Sequence, residues 1–166
     1  MGTQGSMQLY PGDRLRWEGE KLLDDSGFVL ATAPTVAQAG RLADPAIEVS
    51  TGDRILLDPV KSFLHLRLTG SPADSGEVWS VAQKGLTVTK LVADCAGRNY
   101  TLNRPRLTTM RREIRSVEAG SVVAVAKPAA RGELQVFVSD EVPTADLAFM
   151  TWALTLVDVP ARRTKI

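Results

Sequence analysis

The sequence predicts a mainly β protein, a closed antiparallel barrel of about twelve strands enclosing a C-terminal apolar helix. Two observations carry that expectation. From Arg14 to Asp140, short runs rich in Val, Leu, Ile and Thr alternate with Gly, Pro, Asp and Ser punctuation about every 8–12 residues. The segment Thr144–Val159 then reads as a helix that is apolar on every side. Such a helix cannot lie on a surface, because each Leu, Phe or Trp left in water forfeits roughly 1.5–3 kcal/mol.

In chain order, the expected strands of the first half are Arg14–Glu18, Lys21–Asp24, Phe28–Ala33, Ile47–Ser50, Arg54–Asp58 and Ser62–Thr69. Those of the second half are Glu77–Gln83, Leu86–Val92, Arg98–Asn103, Arg111–Val117, Val122–Lys127 and Glu133–Ser139. Within Ser62–Thr69, Phe63, His65 and Arg67 fall on one face and Leu64, Leu66 and Leu68 on the other, the pattern of a strand with one core side. The run from Ser121 to Ala126 is apolar on both faces, as expected of a strand covered on each side.

Three connections, Asp24-Asp25-Ser26-Gly27, Asp94-Cys95-Ala96-Gly97 and Glu118-Ala119-Gly120, place an acid before a Gly. The acid can bond nearby backbone, and Gly can take φ > 0. Lys21-Leu22-Leu23 precedes the first and Lys90-Leu91-Val92 the second, so a repeated hairpin and independent hairpins sharing turn chemistry both fit. Between Thr32 and Asp44, the residues Val36–Gly40 read as a short helix or an irregular crossover, and Ser71–Gly76 as a long hairpin loop.

Pro143 and Thr144 suit a helix start, Asp146 faces the positive end of the helix dipole, and Pro160 stops the helix. At about 1.5 Å per residue Thr144–Val159 spans about 24 Å, short of the ~30 Å hydrocarbon core of a bilayer. Acids at both ends also argue against a transmembrane span, and an interfacial helix would need a charged face. The interior of the barrel remains. Closure removes sheet edges, and a large barrel must be filled by side chains, ligand or an element of the chain.

Residues 1–13 are expected to form an N-terminal extension, 14–160 a single domain with its central helix at 144–159, and 161–166 a basic tail carrying Arg162, Arg163 and Lys165. Met1–Ser6 formally matches a myristoylation pattern, and equally a short extension ahead of Met7. With 44% hydrophobic and 23% charged residues and a net charge of +1, composition argues against disorder and against a globally basic nucleic-acid protein. A lone Cys95 excludes an internal disulfide framework, and with a lone His65 it cannot make the usual N/S zinc site. No secretory leader is evident, so a cytoplasmic location is expected, peripheral to a membrane if lipid is the ligand.

The order of elements also carries a family resemblance. Asp94-Cys95-Ala96-Gly97-Arg98-Asn99-Tyr100-Thr101-Leu102 through Arg111-Arg112-Glu113-Ile114, then Val117-Glu118-Ala119-Gly120 to Val125, then Val142-Pro143 and the helix to Val157, resemble the tubby C-terminal-like superfamily. The likeness is to its LURP-one-related branch in particular, alongside phospholipid scramblases. It implies a closed barrel of about twelve strands around a central helix. Tubby domains bind phosphoinositides through basic residues, and scramblase-like members are tied to membranes and calcium. No local match to either motif occurs here, so the resemblance transfers no site residue.

The one uneven charge distribution is the stretch Arg98 to Val117, with Arg98, Arg104, Arg106, Arg111, Arg112 and Arg115 against Glu113 alone. Arg104, Arg106, Arg111 and Arg112 are the candidate ligand-binding residues, offering guanidinium forks to anionic phosphate. Against this, strand alternation would send Arg111 and Arg115 to one face and Arg112 to the other, dispersing them over a solvated exterior. Tyr100 is the only aromatic residue in the stretch, which disfavours base stacking and leaves nucleic acid as a weak alternative partner.

The expected function is therefore a non-catalytic binding or scaffold domain without a cofactor or metal, meeting anionic phospholipid headgroups or a protein partner on its outer wall. The alternative is an enzyme, whose only histidine, His65, would have to anchor any Ser–His–Asp arrangement. Cys95, beside Asp94 in an expected turn, reads as an inert thiol.

Overall fold

The structure, a computed structural model, describes residues 7–34, 45–58 and 66–159. In chain order the strands are β1 (Gln8–Leu9), β2 (Arg14–Glu18), β3 (Lys21–Asp24), β4 (Val29–Thr32), β5 (Ala46–Val49), β6 (Arg54–Leu57) and β7 (Arg67–Pro72). They continue as β8 (Trp79–Gln83), β9 (Lys90–Cys95), β10 (Arg98–Asn103), β11 (Arg112–Ser116), β12 (Val122–Ala129), β13 (Glu133–Val138) and β14 (Val142–Pro143), and the helix α1 (Thr144–Asp158) follows directly. Strands β2 to β13 form a closed antiparallel barrel of twelve, sealed where β13 returns to β2 with Leu134 opposite Trp17. β1 and β14 pair separately.

Alternate residues line the interior, among them Leu91, Ala93 and Cys95 on β9 and Leu134, Val136 and Val138 on β13. Helix α1 lies among them. It meets Trp17 of β2, Gly70 of β7, Trp79 of β8, Tyr100 of β10 and Arg112 of β11, and packs against β5, β12 and β13. Contacts from all round the barrel explain why every helix residue but Ala145 is buried. Its buried hydroxyls are satisfied: Thr151 Oγ1 accepts from Trp17 Nε1 at 2.8 Å and donates to the Leu147 carbonyl at 2.6 Å, and Thr155 donates to the Trp152 carbonyl. Gly70 provides close approach. A Cβ there would stand 2.8 Å from the Leu56 carbonyl oxygen and 3.3 Å from Phe149 Cε1.

Several sequence-based boundaries shift. Ser71 and Pro72, read as loop, extend β7, and the expected Leu86–Val92 strand is replaced by Lys90–Cys95. Leu86 lies in the connection after Gly85, which adopts φ +103°, so its apolarity does not reflect a core position. Cys95 is the last residue of β9 rather than a turn residue. The turn is Ala96-Gly97, whose φ values of 57° and 87° fit the two-residue hairpin form with both central residues left-handed. The apolar run on β12 has a local cause, since Ile114 pairs with Ala124 and Arg115 with Val122, leaving Val123 as the extra residue of a bulge. Gln8 and Leu9, expected in an extension, pair with Val142 and Pro143, and Leu9 is fully buried. Met1–Ser6, Val36–Gly40, His65 and the tail from Pro160 lie outside the described residues.

At one end of the barrel lie the connections β3 to β4, β5 to β6, β7 to β8 (residues 73–78), β9 to β10 and β11 to β12, and α1 begins. At the other lie the two-residue turn from β2 to β3, the connections β8 to β9 (residues 84–89), β10 to β11 (residues 104–111) and β12 to β13, and α1 ends. We call these the turn end and the loop end.

Candidate functional site

Both ends of α1 carry an acid that the barrel walls hold. At the turn end, Asp146 receives Arg98 Nε at 2.7 Å, Arg98 NH2 at 2.8 Å and the Tyr100 hydroxyl at 2.5 Å. The Ala96-Gly97 hairpin sets Arg98 and Tyr100 two residues apart on β10, within reach of one carboxylate. Arg98 is 44% exposed, and its guanidinium stacks 5.7 Å from the Trp79 ring, which meets Phe149 edge-on. The bond to Asp146 holds Arg98 even more firmly protonated than usual, despite partial burial. Tyr100 is pushed well above the ordinary phenol range, first by burial and then by the charge of Asp146. Burial, with Asp146 second, likewise lifts the Cys95 thiol, consistent with an inert cysteine.

At the loop end, Asp158 accepts Arg112 Nε at 2.8 Å, Arg112 NH2 at 2.7 Å and Arg104 NH2 at 2.6 Å. The remaining Arg112 nitrogen donates to the carbonyls of Val88, Thr89 and Leu102, so this fully buried guanidinium has every edge occupied. The same bonds stitch the two long connections together, helped by the Arg104 N–H donating to the Thr89 carbonyl.

The four candidate arginines therefore divide. Arg112 points into the barrel, not to a solvated exterior, because β11 presents Arg112 and Ile114 inward and Glu113 and Arg115 outward. Arg104 is committed through NH2 to Asp158 and is 17% exposed. Arg111 is exposed and shares Glu113 with Arg115, and Arg106 is exposed without an ion pair among the described residues. The structure does not bring the four into one open patch. The sequence signal that could have found this arrangement was present in two halves, as acids at both ends of an apolar helix and an arginine excess one hairpin away.

A cleft of about 340 Å³ opens at the turn end beside Arg98, Tyr100, Glu118, Asp140, Glu141 and Pro143. Asp140 is held below the usual carboxylate range by bonds from the Ser121 hydroxyl and the Glu141 N–H. Glu118 accepts the Asn99 N–H at 2.8 Å instead of closing its own turn, which Ser116 does through Ala119. With three carboxylates around one arginine already neutralised by Asp146, this cleft repels anionic phosphate. Among the described residues, no group of three His, Cys, Asp or Glu side chains is placed to hold a metal ion.

Fold and site together define a closed antiparallel barrel plugged by its own C-terminal helix, with the plug ion-paired at both ends. No protein-family model, curated protein or solved structure matches this chain. No helix among the described residues is long and apolar enough to cross a membrane.

Proposed function

We propose that this protein is a non-catalytic binding domain of tubby-like architecture, whose ligands meet the outer wall and end loops and not the lumen. The observation that supports this reading is the occupied interior: α1 is apolar, buried on all sides and clamped by Asp146 and Asp158, which leaves the barrel little room for a substrate. Phosphate recognition by all four candidate arginines would require breaking the Asp158 cluster. That reduces the anionic-ligand surface to Arg106 and Arg111 and their neighbours.

Native-state hydrogen exchange tests the reading directly. The amides of α1 should exchange only through global unfolding, as slowly as those of β9 to β13. Faster exchange of α1 than of β9 to β13 would mean that the plug leaves and the lumen is the binding site.

A further inference from the structure

We infer that the molecule self-associates head to tail, the Arg106-Leu107 tip at the loop end of one copy docking into the carboxylate-lined cleft at the turn end of the next. The inference rests on the reading of the protein as an outer-surface binding domain, and names its partner as a second copy of this chain.

The two ends are complementary in charge. Lys84, Lys90, Arg106 and Arg111 are exposed at the loop end, and neither 84–89 nor 104–111 contains an acid. Glu20, in the β2 to β3 turn of the same end, lies half-way round the barrel from β9. The turn-end connections instead expose Asp25, Asp74, Glu77, Glu118 and Glu141. A net charge of +1 thus conceals a polarity along the barrel axis, so that unlike ends of two copies attract and like ends repel.

The groups placed to meet are those that no ion pair within the molecule uses. Arg111 shares Glu113, and Arg104 and Arg112 are held by Asp158, whereas Arg106 is exposed without an ion pair among the described residues. In the cleft, the Glu141 carboxylate accepts no bond among the described residues, and Glu118 spends one oxygen on the Asn99 N–H.

Apolar surface is matched as well. Leu107, beside Arg106, is 85% exposed, and Leu86, 93% exposed, stands on the connection that the Arg104 N–H joins to this one through Thr89. Side chains so fully in water contribute nothing to their own fold. The cleft sets Val123 and Pro143 among its carboxylates, and exposed Val117 adjoins Ser116 and Glu118 of its wall. Its volume of about 340 Å³ lies at the small end of the usual pocket range, about 300–1,000 Å³, which suits the side chains of a tip and not a folded element. Seating Leu107 there removes it from water while Arg106 meets Glu141 and Glu118.

Position favours an open chain over a closed pair. The tip joins β10 to β11, and the cleft is lined from β10, β11 and β12, so both lie over the same stretch of wall at its opposite ends. Two different surfaces make a heterologous contact, and stacking along the barrel axis leaves a free tip and a free cleft at each step.

Sedimentation velocity of the full chain tests the proposal. At low salt the weight-average sedimentation coefficient should climb with concentration up to about 1 mM without levelling at a dimer, and high salt should restore the monomer. Arg106→Gln with Leu107→Ser at the loop end, and Glu118→Gln with Glu141→Lys at the turn end, should each weaken self-association about 10-fold or more. Both variants should keep the native melting temperature, since these side chains are exposed and Glu118→Gln retains an acceptor for the Asn99 N–H. Mixed one to one, they should form a one-to-one dimer and nothing larger, because each supplies the surface that the other has lost. Asp25→Asn, at the turn end but between β3 and β4, should assemble as the parent does.

A monomer at every concentration in low salt overturns the proposal. So does parent assembly that stops at a dimer, unchanged assembly in both variants, or a mixture of the two that stays monomeric. Hydrogen exchange of α1 tests the plugged lumen independently of all these outcomes.

Discussion

The two ends of α1 solve the same problem with unequal means. Each presents an aspartate inside a closed barrel, yet Asp146 is held by one half-exposed arginine and a tyrosine, whereas Asp158 takes two arginines, one of them fully buried. The helix dipole accounts for the asymmetry. Asp146 lies in the first turn, where unpaired N–H groups and the positive end of the dipole already favour an anion. Asp158 is the last helical residue, against the negative end and the free carbonyls, where a carboxylate is disfavoured until positive charge surrounds it. Cations needed at the loop end for this internal purpose account for two of the six arginines between Arg98 and Arg115, Arg104 and Arg112.

The ends should therefore differ in what they contribute to stability. Arg112→Ala should have the largest effect, lowering unfolding free energy by about 3–5 kcal/mol in urea denaturation, because it strands a buried carboxylate on Arg104 alone. Asp146→Ala should lower it by about 1–3 kcal/mol, since Arg98 can turn to solvent and the main loss is an unsatisfied Tyr100 hydroxyl. Equal effects at the two positions would break the comparison. Gly70→Ala, which presses on the middle of the helix through Phe149, should destabilise by about 1–3 kcal/mol and leave the difference between the ends unchanged.

A smaller effect should come with pH. Tyr100 and Cys95 both ionise above their ordinary values, about 10 and 8.5, so the fold favours their neutral forms. Their contribution is fully present at neutral pH and falls as pH rises past about 9, where the unfolded chain begins to release protons that the folded chain retains. Thermal melts should decline on the alkaline side, and Tyr100→Phe should flatten that decline. A slope as steep in Tyr100→Phe as in the parent would show that the turn-end cluster does not govern it. The smallest effect belongs to Asp74→Asn with Glu77→Gln, expected to stay within about 0.5 kcal/mol of the parent because these acids are solvated.

Turn chemistry was legible where it is local. Asp24 accepts the N–H groups of Ser26 and Phe28, and Asp94 that of Gly97, as acid-before-Gly spacing predicts. The third such turn departs from it because Glu118, one methylene longer, reaches across to β10. The loop end was less legible. Leu86 reads like a strand residue by composition, and only its position beyond Gly85 shows that it protrudes.

The sequence by itself determined the class of fold, since period-two runs, their turns and a helix apolar on every side admit few arrangements other than a filled barrel. It also determined where the helix begins and ends, through Pro143, Thr144, Asp146 and Pro160. Tertiary structure alone decided which arginines are free. Ion pairing between residues 46 to 54 positions apart depends on barrel closure and on the axial register of α1 within it, neither of which any local pattern encodes.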